Sequence, residues 1–241
     1  MEGEEKIKSM NALSKAINIF VSPREAFESI NEKPTWLFPY IIITVFVLFM
    51  MFMTKDLQTQ DQINAMRANG MTEQQLDNME SNMRGPLGYI GFVIAPAGML
   101  IVNLVIAALL LVAANLMIGE KEISYKKIFS MLMWAGLVGI ISVLISTFLA
   151  MQKGTMIGIS LDLSALLPAV PPGESKSFLY RLLARFDIFV FWQMALWVIG
   201  LSVMYKTTIK KAIAPVATLW VIWVIIAVGL GGVIGKFVPG M

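Results

Sequence analysis

Five stretches of the chain run without a single Asp, Glu, Lys or Arg: residues 34–54, 85–119, 128–152, 188–205 and 212–235, of 21, 35, 25, 18 and 24 residues. About 18–20 apolar residues at 1.5 Å each cross a hydrocarbon core of roughly 30 Å, so each stretch is long enough to span a membrane. Lipid offers no partner to free backbone N–H and C=O groups, which requires every crossing to be a helix. The pattern predicts an all-α, polytopic integral membrane protein with five transmembrane helices, at about 35–54, 88–118, 128–151, 187–205 and 213–235. The 35-residue run is longer than one straight crossing needs. Its surplus implies tilt, an apolar lead-in at the interface, or a kink at Pro96 and Gly98, because proline removes a helix hydrogen bond and crowds the preceding turn. Trp36 and Tyr40 at the start of the first run, and Tyr205 at the end of the fourth, fit interfacial aromatic belts.

The segments outside these runs are patterned too. In residues 7–20, Met10, Leu13, Ile17 and Phe20 fall at helical spacing, flanked by Lys6, Lys8 and Lys15. This predicts an amphipathic helix, either lying on the membrane surface or packed on the protein's own loops. Ser22, Pro23 and Glu25 then spell a capping box for a short helix through about Asn31, with Phe27 and Ile30 on its buried side. Residues 55–84 read as a helical hairpin: one helix from about Asp56 to Asn69, a stop at Gly70, and a second helix after the N-cap Thr72. Its Met66, Met71, Met79 and Met83 form a soft contact surface or pack the hairpin itself. In residues 159–164, Ile159, Leu161 and Leu163 alternate with Ser160, Asp162 and Ser164. That period fits either a short strand needing a partner, which another chain could supply, or an irregular apolar loop at the interface. After Pro168, Pro171 and Pro172, the stretch around Phe178, Leu182 and Leu183, with Arg181 and Arg185 opposite, predicts an amphipathic extension continuous with the fourth membrane helix.

Composition agrees with the run lengths. The chain has 241 residues, of which 57% are hydrophobic and only 15% charged, against about 25% charged in soluble domains. Cysteine and histidine are both absent, which excludes disulfides, Cys/His zinc sites, and acid–base or nucleophilic sites built on those residues. The net charge of +3 does not point to nucleic acid, because the basic residues sit in short segments beside apolar runs, where they set topology. With the N-terminus inside, segments 1–33, 120–127 and 206–211 hold eleven Lys and Arg, against eight in the outer segments. The expected arrangement is a cytoplasmic N-terminus and an outer C-terminus. The acidic opening MEGEEK does not read as a secretory signal, and no lipidation motif is visible.

Candidate functional residues are few. Asn103, Asn115 and Gln193 are the long amide side chains inside the spans, and interhelical hydrogen bonding is their expected role. No acid or base lies mid-span, whereas ion-coupled carriers usually need one there. Asp187 beside Arg185 reads as an interfacial ion pair or a substrate contact. Ala227, Gly231 and Gly235, spaced four apart in the last run, let helices approach closely, within the bundle or with a second chain. No phosphate-binding, zinc-protease or nucleophile-elbow motif occurs, so catalytic residues, metal ligands and cofactors are not expected.

One resemblance adds to this reading. Phe20 to Ile30, followed by Pro34, Thr35, Trp36, Leu37, Phe38 and Pro39, resembles the start of the bacterial Yip1 family, in which P-x-x-x-F-x-x-I and then P-x-W lead into the first of five membrane spans. Ser124, Tyr125, Lys126, Lys127, Ile128 and Phe129 resemble the opening of that family's third span. The DLYGP-type motif of the eukaryotic branch is missing, so a Rab-like GTPase partner is not implied. The resemblance implies a non-enzymatic scaffold or accessory subunit of the bacterial inner membrane, a companion of another membrane complex such as an ABC-type exporter, or a homo-oligomer. The alternative is a channel or carrier for a small or lipid-like solute, suggested by the overlong second run with Asn103 and Asn115. The expected organisation is a cytoplasmic amphipathic segment over 1–33 and a membrane domain over 34–241.

Overall fold

The computed structural model describes residues 10–119, 123–170 and 174–237, with side chains described as far as residue 229. Ten α-helices follow in order: α1 (Ala12–Val21), α2 (Pro23–Glu32), α3 (Leu37–Ala68), α4 (Glu73–Arg84), α5 (Ile90–Ile118), α6 (Tyr125–Ala135), α7 (Val138–Lys153), α8 (Phe178–Leu183), α9 (Ile188–Met204) and α10 (Ile209–Phe237). Among the described residues, four helical stretches are long and apolar enough to cross a membrane: Leu37–Ala68, Pro86–Ile118, Tyr125–Lys153 and Ile209–Gly229. The other expected crossing, α9, has 17 residues, at the lower end of the spanning range of about 17–25.

The chain divides into two compact units. The first comprises Met1–Thr44, Leu100–Gly139 and Phe191–Trp220; the second comprises Val45–Met99, Ile140–Val190 and Val221–Met241. The chain therefore passes from one unit to the other five times.

The core of the first unit is α6. Every side chain from Ile128 to Ala135 is buried, as expected of a helix that is apolar on all sides and enclosed by neighbours. The α1–α2 pair packs on it, and Phe27 and Ile30 of α2 are fully buried as their spacing requires. Trp134 donates its indole N–H to the Thr35 carbonyl at 2.7 Å, which ties α6 to the linker ahead of α3. Trp36 packs against Phe129 at 5.4 Å between ring centroids. On α5 the buried positions Ala107, Leu110 and Ala114 form one narrow stripe, and most of the remaining surface is exposed and apolar. The α9 end is closed by a Schellman motif: Thr207 N–H bonds the Ser202 carbonyl and Lys206 N–H the Val203 carbonyl, with Lys206 left-handed at φ 47°.

Several expectations need correction. The Ser22 side chain makes no capping bond, so the capping box is absent and α2 starts on Pro23 alone. The outer helix expected at 56–69 is not separate, since α3 runs unbroken from Leu37 through Thr54 to Ala68. A helix needs no break where apolar residues give way to polar ones. In the second run, α5 is helical through Pro96 and Gly98, and a 3-10 turn at Pro86–Tyr89 leads into it. Conversely, the third run is interrupted at Gly136 and Leu137 by a turn built on short-range bonds, Leu137 N–H to Trp134 and Gly139 N–H to Gly136. A Cβ on Gly136 would lie 3.2 Å from the Ile43 side chain.

Candidate functional site

In the second unit, α3 and α4 form a stitched helical hairpin. Gly70, at φ 85°, ends α3 in a Schellman turn in which Met71 N–H bonds the Met66 carbonyl. Only a residue without Cβ adopts that conformation without strain. Thr72 caps α4 in a reciprocal box: it accepts from Gln75 N–H, and the Gln75 side chain accepts from Thr72 N–H at 3.0 Å. Ile63 and Leu76 are its buried apolar residues. Charged pairs close both ends: Arg67 with Glu73 at 3.2 Å, and Arg84 with Asp56 at 3.3 Å and Glu80 at 2.8 Å. The Arg67 hydrogen bond, and then its charge, hold the Glu73 carboxyl below the usual carboxylate range. These pairs are exposed, so they fix geometry more than they add stability. The Lys55 ammonium sits 3.3 Å from the centroid of the Tyr89 ring, which joins α3 to the 3-10 turn.

The hairpin also anchors the loop that follows α7. Asp61 accepts the Thr155 hydroxyl at 2.6 Å and the Met156 N–H at 2.7 Å. Nothing in the sequence around Asp61 marks this latch, because its partners lie more than 90 positions away. Farther along, the alternating 159–164 segment is not a strand. Asp162 makes a single antiparallel bridge with Asp187 of the same chain, and Leu163–Leu166 forms a 3-10 turn whose start Asp162 caps. The apolar-loop alternative is therefore the one observed. α8 ends at Leu183 and is not continuous with α9. Between them, Asp187 accepts Phe189 N–H at 2.6 Å and Val190 N–H at 3.1 Å. It is the N-cap of α9 rather than an ion-pair partner of Arg185, and that cap is what separates the two helices.

The remaining candidates are dispersed. Asn115 accepts the Tyr205 hydroxyl at 2.6 Å and so ties α5 to the end of α9, the interhelical role expected of it. Asn103 is half-buried on α5 and Gln193 half-buried on α9. Ala227 is half-buried in α10, while the surroundings of Gly231 and Gly235 lie outside the described side chains. Among the described residues no cluster of His, Cys, Asp or Glu is arranged to hold a metal. Among the described residues of the first unit are a shallow groove of about 350 Å³ lined by Ser22–Glu25, Ile199, Ser202 and Ile209, and one of about 460 Å³ beside Pro34–Phe38.

The residues that carry the family resemblance are thus structural. Phe27, Ile30, Trp36 and Phe129 pack the N-terminal pair and its linker around α6. A family model for the Yip1 domain matches residues 17–231. The chain belongs to the Yip1 family. Yip1-domain proteins are membrane proteins, which accords with the helices long and apolar enough to cross a bilayer. No curated protein and no solved structure matches this Yip1-domain chain.

Proposed function

We propose that this Yip1-domain chain is a five-crossing, non-enzymatic scaffold or accessory subunit, and that the α3–α4 hairpin is the platform on which it holds another membrane-protein complex. The hairpin itself carries the reading. α3 continues for 14 residues past Thr54, about 21 Å of rise, and α4 returns along it with capped ends and three ion pairs. Such a rigid projection with a mixed-charge surface suits protein docking. One observation supports the topology: segments 1–33, 120–127 and 206–211 carry eleven Lys and Arg, against eight in the other connecting segments. That bias favours a cytoplasmic side for those three segments. An exporter of ABC type is the partner class the family resemblance implies. The solute-pathway alternative is weakened at Asn115, whose side chain is engaged by Tyr205.

Photocrosslinkers placed at the exposed Gln60 and Asp77, in native membranes, test this. A discrete protein adduct at both positions, absent at the exposed Val112 of α5, is expected. A chain that crosslinks to no protein from the hairpin and is recovered as a lone monomer in mild detergent would overturn the proposal.

A further inference from the structure

α1 is inside out. Its exposed positions are Leu13 (67%), Ile17 (55%), Phe20 (38%) and Val21 (74%), all apolar. Its polar residues face the protein: Lys15 is only 4% exposed, and Ser14 and Asn18 are half-buried. The Lys15 ammonium reaches the Lys33 carbonyl at 3.5 Å, and the Asn18 amide bonds the Ser14 carbonyl at 2.9 Å. A helix facing water packs with the opposite polarity, apolar side in and polar side out. The medium on the outer side of α1 must therefore be apolar.

The exposed stripe is also continuous with lipid-facing surface. Phe20 packs edge-on against Trp192 of α9, 5.9 Å between centroids. Phe191 and Trp192 of this apolar helix are themselves exposed. We infer that the outer face of α1 is a lipid-contacting surface, with Leu13, Ile17, Phe20 and Val21 against the acyl chains of the bilayer and Lys15 held on the protein side instead of among lipid headgroups. The next helix returns to water, as the exposed Arg24 and Glu25 show. The inference rests on the polarity of one helix and is independent of any docking partner.

The chain has no native cysteine, so single spin labels at residues 13, 17 and 21, with Arg24→Cys as the aqueous reference, report the medium directly in the full protein reconstituted in phosphatidylcholine–phosphatidylglycerol vesicles. Collisions with dissolved oxygen and with a water-soluble nickel chelate are measured at each site. Labels at Leu13, Ile17 and Val21 should collide several-fold more with oxygen and several-fold less with nickel than the label at residue 24. High nickel accessibility at these three sites would place the stripe in water and overturn the inference. Protection from both reagents would mean that a protein surface covers it, which overturns the inference equally.

Discussion

The tightest packing in the first unit gives a prediction whose sign depends on one neighbour. Gly200 lies in α9 against α6 and α2. A Cβ there would overlap Met131 Sδ, stand 2.5 Å from Met131 Cγ and approach Phe27 Cδ1 at 3.4 Å. Carbon atoms in contact sit at about 3.5–4.0 Å, so the methyl intrudes by about 1 Å. Met131 and Phe27 are both fully buried, and neither has an open direction in which to retreat. Overpacking of this kind costs about 1–3 kcal/mol, while replacing a helical glycine by alanine returns about 0.5–1 kcal/mol. The clash wins, and Gly200→Ala should destabilise the protein by about 1–2 kcal/mol. In a Met131→Ala background the obstacle is gone, and the same substitution should become neutral or stabilising by up to about 1 kcal/mol. Unfolding free energies of the four proteins in detergent give the coupling as a double-mutant cycle. If Gly200→Ala has the same effect in both backgrounds, the close approach of α9 and α6 inferred here is wrong.

Other consequences are independent of that contact. Tyr205→Phe or Asn115→Ala should each cost about 0.6–2 kcal/mol, with strong non-additivity in the double variant, since the two share one bond. Lys206 is left-handed at φ 47°, so Lys206→Gly should stabilise by about 1 kcal/mol. Asp61→Ala should speed amide hydrogen exchange at Met156 by about tenfold or more, because it removes a hydrogen bond to a charged acceptor; unchanged exchange would mean the latch is not formed. Burial, with Lys33 adding and Glu32 opposing, pulls the Lys15 ammonium below its ordinary 10.5. Between that lowered value and 10.5 the unfolded chain binds more protons, so stability should rise with pH through this window. Lys15→Met should raise stability below the window and flatten the pH slope, as read by unfolding from pH 7 to 11.

What was legible in the sequence follows from the range of the interactions. Apolar runs, Gly70, Thr72 and the burial of Phe27 and Ile30 are local signals with local causes, and they appear where expected. Continuity was harder to read. The loss of apolar residues after Thr54 marks where a membrane could end, not where a helix does, and α3 carries on. In the third run an unbroken apolar stretch concealed the turn at Gly136, which close packing around Ile43 favours. The role of Asp187 was misread because Arg185 is its neighbour in sequence, while the N–H groups it caps belong to the helix that follows. For α1 the sequence left two readings open, an apolar face on the membrane surface or one packed on the protein's own loops. Its spacing shows an apolar face, and only the packing of α2 and α6 shows that this is the face left open.

The central proposal is that the chain crosses the bilayer five times, with the segments before α3, after α5 and after α9 on one face and the α3–α4 hairpin on the other. Single cysteines at Lys126 and Lys210 in the first unit, and at Gln60 and Asp77 in the second, can be challenged with a membrane-impermeant maleimide in sealed vesicles of known sidedness. The account predicts modification of the first pair only from the cytoplasmic face and of the second pair only from the other. Labelling of all four positions from a single face would contradict it.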